Sequence, residues 1–330
     1  MVRIFLGAVV CLGILVVGLP ALLAADVIAI QAAPVSLHPN ELDRLSVGRL
    51  IYRGGLALSA PDSRFGGLSD LSVAPDGRRF LAISDRGHWV EGDLIYDTER
   101  RLAGLANGRL GPLGDFHGRQ LKGLAGDAEG LAVYPDGSLL VAYERRHRLW
   151  LYPPSDPPFA RAPRVVPLPR RAPAMSENGG MEALLRLSGG RLIALSEDLM
   201  DGRHHVGWIG DGIAWEELRY RAAVDFKPTG MTQIPADTRH AGDVLVLERR
   251  FTILDGPGAR ITLHRRSAWR PGGTLEGEEL AVIRQPLTVD NFEGIAAARG
   301  SRGETLIYLL SDDNFSFWQR TLLLMFELPK

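Results

Sequence analysis

Short apolar runs alternate with polar turns along almost the whole chain. Runs of this kind, bounded by Gly, Pro and Asp, read as β-strands. No stretch keeps a helical apolar period long enough to form an amphipathic helix. The pattern also repeats. LSDLSVAPDGRRFLAISDR spans 68–86, AEGLAVYPDGSLLVAYER spans 128–145 and MEALLRLSGGRLIALSED spans 181–198. PTGMTQIPADTRHAGDVLVLER spans 228–249, and FEGIAAARGSRGETLIYLLSDD spans 292–313. Each is an apolar run, a turn, then a second apolar run ending in a charge. Further strand-like pieces lie between them, such as HWVEGDLIYD, IAWEELRYR and EELAVIRQ. That makes about four strands per unit, with units roughly 50–65 residues apart. The expectation is an all-β fold: a single β-propeller with five four-stranded repeats and room for a sixth blade. A β-sandwich explains the repeated hairpins less well. The final run TLLLMFEL is expected to pair with GRLIYRGGLALS near the other end, closing the ring.

In the second repeat, Asp136-Gly137 reads as a two-residue hairpin turn. That register places Glu129 directly opposite Glu144, and the same count pairs Glu182 with Glu197. Like charges facing each other destabilise a sheet. Aligning all five units gives two columns. The first holds Ser69, Glu129, Glu182, Thr229 and Glu293; the second holds Asp85, Glu144, Glu197, Glu248 and Asp312. If the hairpins are the inner strands of a propeller, both columns ring one mouth of its channel.

Such a ring cannot stay ionised and unpaired at close range. A hard cation, arginines or protonation would relieve it. Basic residues follow the second column at Arg86, Arg145 and Arg249, and Lys227 is near. Units three and five add acid instead, which favours a metal held there by Glu182, Glu197, Glu293, Asp312 and Asn314. Glu129, Glu182 and Glu293 are the candidates to ligate a cation or act as base. Arg86, Arg145, Lys227 and Arg249 are the candidates to bind an anionic substrate. His88, three residues past the second column, is a candidate base at the channel mouth. The plain alternative for any one acid is a turn cap or an ion pair between blades.

Composition narrows the field. The 330 residues carry a net charge of −1, which gives no general field for nucleic acid. Cys11 is the one cysteine, so there is no intrachain disulfide and no thiolate metal site. No G-x-S-x-G or H-E-x-x-H motif occurs. One Arg precedes an uncharged apolar run from Ile4 to Ala25, which reads as a secretory signal or an uncleaved anchor over residues 1–25. Export to the periplasm or medium is expected, with membrane contact only through that segment if it is retained. Residues 26–44 read as a linker, 45–330 as the propeller domain, and 154–174 as a surface loop.

FGGLSDLSVAPDG, AISDRG, DAEGLAV, GGMEAL, FKPTGMT, NFEGIA and LLSDDNFSFWQRTLLLMFEL resemble the bacterial phytase-like family, described as having esterase-like activity. The resemblance runs from about Arg49 to the C-terminus. It implies a β-propeller, export, and hydrolysis of a small-molecule ester or phosphoester, with Ca²⁺ or another divalent cation as in propeller phytases. A lactonase-type hydrolase on the same face and a non-enzymatic ligand-binding propeller are the alternatives.

Overall fold

The computed structural model describes residues 23–252 and 254–329. The apolar segment read as a signal or anchor lies almost wholly outside them. The described residues form five sheets arranged as the blades of a propeller, antiparallel except for Thr274–Leu275, which pairs parallel with Trp215–Tyr220. Blade I contains Leu68–Val73, Arg79–Ser84, His88–Tyr96 and Leu102–Pro112. Blade II contains Ala128–Val133, Leu139–Tyr143, Arg148–Tyr152 and Arg164–Val166. Blade III contains Met181–Arg186, Leu192–Asp201, His204–Gly210 and Trp215–Tyr220. Blade IV contains Lys227–Gln233, Val244–Thr252, Gly256–His264 and Glu278–Arg284. Blade V contains Asn291–Arg299, Thr305–Asp312 and Thr321–Leu328, followed by Leu50–Ser59 and Gln31–Pro34.

The first strand of each unit is the inner one. Leu68–Val73 touches Ala128–Val133, which touches Met181–Arg186; Lys227–Gln233 and Asn291–Arg299 complete the circuit. Five apolar clusters fill the five gaps between neighbouring blades. Leu245 and Ile261 of blade IV meet Phe292 and Leu309 of blade V, for example. Second strands therefore have neighbours on both faces, which is why LLVAY at 139–143 is apolar at every position and buried throughout. Burying one such Leu contributes about 2 kcal/mol.

The N-terminal strand Leu50–Ser59 pairs with Thr321–Leu328 as expected, inside blade V, and starts no sixth blade. Two other sequence expectations change. Residues 26–44, expected as a linker, contain Asp26–Val27 and Gln31–Pro34, which add outer strands to blades I and V. The Pro/Arg-rich stretch expected as a loop supplies Arg164–Val166, the outer strand of blade II. Asp26–Val27, Gln31–Pro34 and Arg164–Val166 are short edge strands, where few apolar side chains are needed and the sequence pattern is weak.

Candidate functional site

Every inner strand carries a β-bulge at the same place. The ladder to the second strand skips one residue in each blade: Ser69, Glu129, Glu182, Thr229 and Glu293. These five residues are the first column of the aligned repeats. A bulge leaves its extra residue outside the ladder and re-aims its side chain, and bulges recur beside active sites. Glu129 and Glu144 therefore do not face each other. Ala142 pairs with Gly130, and past the bulge the Glu144 N–H donates to the Asp127 carbonyl at 2.9 Å. The turn causes half of this shift. It has three residues, 135–137, and Tyr134 N–H donates to Ser138 O at 2.8 Å while Gly137 takes φ +83°. A two-residue turn would have given the other register. Blade III repeats the pattern, so Glu182 and Glu197 are not opposed either; Met181 pairs with Ser196.

The bulge also corrects the second column. The N–H groups of Asp85, Glu144 and Glu197 donate to Gly67, Asp127 and Gly180, each two residues before its bulge. Asp312 is opposite Asn291 in the same way. In blade IV that slot, opposite Lys227, belongs to Arg249. Glu248 points to the other side of its strand. It is fully buried between blades III and IV and accepts from Tyr220 Oη at 2.6 Å and from Arg260 Nη1 at 2.9 and 3.0 Å. It is an inter-blade clamp, not a member of the ring.

Arg249 is thus a cation built into a ring of acids. Its Nη1 donates to Asn291 Oδ1 at 2.9 Å and its Nη2 to Glu197 Oε1 at 3.0 Å. Glu293 Oε1 lies 3.3 Å away and Glu182 Oε2 4.0 Å away. Burial alone would lower its pKa, but the charges of Glu293, Glu182 and Glu197 outweigh burial and hold it protonated. Lys227 is similarly committed, 2.5 Å from Asp198 Oδ1 and 3.4 Å from Glu197 Oε2. The metal expected among Glu182, Glu197, Glu293, Asp312 and Asn314 therefore meets a protein cation at the centre of that group.

The donors converge instead in blade II. One oxygen each from Asp127, Glu129 and Glu144 lie within 4.8 Å of one another. Asp127 Oδ2 is held by Arg145 Nε at 2.6 Å, and Glu144 Oε1 accepts from Gly180 N–H at 3.2 Å, so each keeps one oxygen for another partner. Glu182 Oε2, buried nearby in the mouth, has no hydrogen-bond partner among the described residues. An all-oxygen carboxylate set of this kind suits a hard divalent cation.

The whole mouth encloses about 340 Å³ and is lined by eight carboxylic acids: Asp85, Asp127, Glu129, Glu144, Glu182, Glu197, Glu293 and Asp312. Among the described residues, only Arg145, Lys227 and Arg249 oppose them there, with Ser69, Asn178 and Asn314 as neutral groups. Burial, then mutual repulsion, drives Glu129 and Glu182 well above the ordinary carboxylate range. Burial also raises Glu293, against the pull of Arg249. Burial and the charge of Asp127 lift Asp85 to about 6. Burial lifts Glu144 to about 7, and burial with the charge of Glu293 lifts Asp312 to about 8.

His88 does not line this mouth. It sits in an adjoining depression of about 750 Å³ with Arg64, Arg86, Gln120 and Lys122, and that depression shares Asp85, Asp127 and Arg145 with the mouth. Its Nε2 is 2.9 Å from Gln120 Nε2, and burial with the nearby Arg64 charge keeps the ring neutral by lowering its pKa. Arg86 stacks over the Phe315 ring, 3.5 Å from its centroid. Of the four expected anion binders, Arg86 and Arg145 face this basic depression, Arg145 while also paired with Asp127, whereas Lys227 and Arg249 are engaged by ring carboxylates away from it.

A family model described as phytase-like, esterase-like activity of phytase, matches residues 63–315. No curated protein matches the chain. Among solved structures, a candidate gluconolactonase is 12% identical, with a TM-score of 0.44 over 94% of this chain and 96% of that one. The PQQ-bound aldose sugar dehydrogenase from Streptomyces coelicolor is also 12% identical, with a TM-score of 0.44 over 90% and 99%. A protein of unknown function from Dyadobacter fermentans is 14% identical, with a TM-score of 0.42 over 92% and 98%. Likeness at this level sets no activity.

Proposed function

We propose, for a chain that belongs to the phytase-like family (esterase-like activity of phytase), that it hydrolyses a small-molecule ester or phosphoester at the acidic mouth. The observation that carries this reading is the convergence of Asp127, Glu129 and Glu144 oxygens beside a basic depression. Those three residues would hold a divalent cation, Ca²⁺ being the first to try. When bound, such a cation polarises a carbonyl or phosphoryl oxygen and acidifies a water.

The chain's own groups supply the rest. Asp85 lines both the mouth and the basic depression, and with a pKa of about 6 it is charged at neutral pH yet basic enough to take a proton from water. Water adds to the acyl or phosphoryl centre, its proton passes to Asp85, and the same proton leaves with the departing oxygen. Arg145 and Arg86 face the negative charge that develops on the reacting group.

Calorimetric titration of chelator-treated protein with Ca²⁺, alongside hydrolysis of p-nitrophenyl acetate and p-nitrophenyl phosphate, tests this. The expected result is cation binding and turnover in the native protein, with both lost in Glu129→Gln. Turnover that survives in Glu129→Gln with cation binding abolished would overturn the metal-assisted reading. Binding without turnover of any ester would favour a ligand-binding propeller, a reading that the internal counter-charge of Arg249 also suits.

A further inference from the structure

A second cavity opens beside the mouth, between the long hairpin of blade IV and the loop that follows Thr305–Asp312. It holds about 720 Å³, within the range of small-molecule sites. Phe251, Pro257, Val289 and Trp318 supply its apolar walls. Phe251 is 69% exposed and Trp318 81% exposed. Two such rings left open to water at one cavity mark a binding surface more often than chance decoration.

Trp318 is carried by an anchored loop. Asp313 Oδ1 accepts from the N–H groups of Gly67 at 2.9 Å and Phe315 at 3.1 Å, and its Oδ2 accepts from Thr321 Oγ1 at 3.1 Å. Asn314 and Phe315 both take left-handed backbone angles, φ 47° and 49°. Consecutive non-glycine residues in that region persist only where surroundings impose them, and they concentrate at ligand clamps.

The floor of this cavity is also the wall of the mouth. Arg249 and Asn314 line both. Asn291, in the floor, accepts from Arg249 and donates through Nδ2 to Glu293 Oε1 at 2.7 Å. Among the described residues, the cavity presents no cation without a carboxylate partner. Arg249 is matched by Glu197 and Glu293, and Arg320 lies 3.6 Å from Asp290. Its remaining polar side chains include the neutral Gln285, Asn314 and Gln319.

The geometry points to this cavity as the subsite for an uncharged aromatic ring of the substrate, with Trp318 and Phe251 as its platforms. The substrate class is an aryl ester, whose ring lies here while its ester group reaches the mouth past Arg249; a polyphosphate finds no partner on this side. The ester part rests on the hydrolase reading above, whereas the ring subsite stands on the cavity alone.

Fluorescence titration of the full chain with 2-naphthol tests it without requiring turnover. The native protein is expected to bind with a Kd of about 1 mM or tighter. Trp318→Ala and Phe251→Ala should each weaken binding about tenfold. Ile213→Ala, which removes an equally exposed side chain outside this cavity, should leave it unchanged. Absence of binding, or equal binding by all variants, overturns the subsite even if p-nitrophenyl acetate is hydrolysed. Binding lost in the two aromatic variants supports it even if no ester turns over, an outcome that would sink the hydrolase reading alone.

Discussion

Arg249 decides how the ring of acids is tolerated. It stands where every other blade has a carboxylate, and it touches carboxylates from blades III and V. Removing it takes the counter-charge from Glu182 and Glu293 and leaves Glu197 only Lys227. Breaking a buried ion pair from one side costs about 3–5 kcal/mol. Arg249→Met is therefore expected to lower the melting temperature sharply at pH 8 and much less at pH 5, where Glu182 and Glu293, raised by burial, take up protons. An equal loss at both pH values, followed by thermal melts, would show that the side chain acts through packing. Sequence reasoning found this arginine but assigned it to substrate. The neighbour Glu248 filled the slot because the alignment followed the acid, and the ladder that corrects it, with Leu247 opposite Gly230 as Ala142 is opposite Gly130, runs past a bulge that leaves no mark in composition. Asp127 was missed for the same reason: it becomes opposite to Glu144 only after the bulge at Glu129 is counted.

At the scale of the strand, the bulge comes with a close approach. The residue after each bulge is Asp70, Gly130, Ala183, Gly230 or Gly294. A Cβ on Gly230 would lie 2.8 Å from the Glu293 carbonyl oxygen of the next inner strand. Gly230 is held in its ladder opposite Leu247, so the strain falls on the bulged Glu293. Gly230→Ala should cost about 1–3 kcal/mol and push the bulged Glu293 away from Arg249, read as a lower denaturation midpoint. A variant as stable as the native chain would mean that the inner strands can slide. Asp70 takes the opposite course in blade I, spanning the gap so that its Oδ2 accepts from Leu131 N–H of blade II at 2.8 Å. The repeats themselves were legible, because each hairpin must be apolar on both faces to fill the gaps between blades. The short outer strands were not, since edges bury little and carry no repeated pattern.

Across the whole molecule, the mouth makes stability depend on pH in an unusual direction. Glu144 at about 7 and Asp312 at about 8 hold protons in the folded state that the unfolded chain has already lost. Groups raised in this way stabilise fully below their unfolded pKa, near 4, and that stability drains away as pH climbs through the folded values. His264 acts the other way, but only between its folded value of about 4 and its usual 6.5. Above pH 6.5 the carboxyls are unopposed by it. The melting temperature of cation-free protein should thus fall from pH 6.5 to 8.5, and Ca²⁺ should restore it at the upper end. A melting temperature that rises over that range would show the ring ionised and already balanced.

Blade V has one further consequence, for the making of the protein. Leu58 pairs with Thr321, so the two partners are separated in the chain by roughly 260 residues. At a synthesis rate of about 5–20 residues per second, the first waits roughly 13–50 s for the second. Through that interval Leu50–Ser59 is an unsatisfied edge, apolar and able to pair with the wrong strand. A message cut short before Thr321 would yield an open ring with that edge permanently bare, a species for chaperones and proteases, not a smaller working propeller.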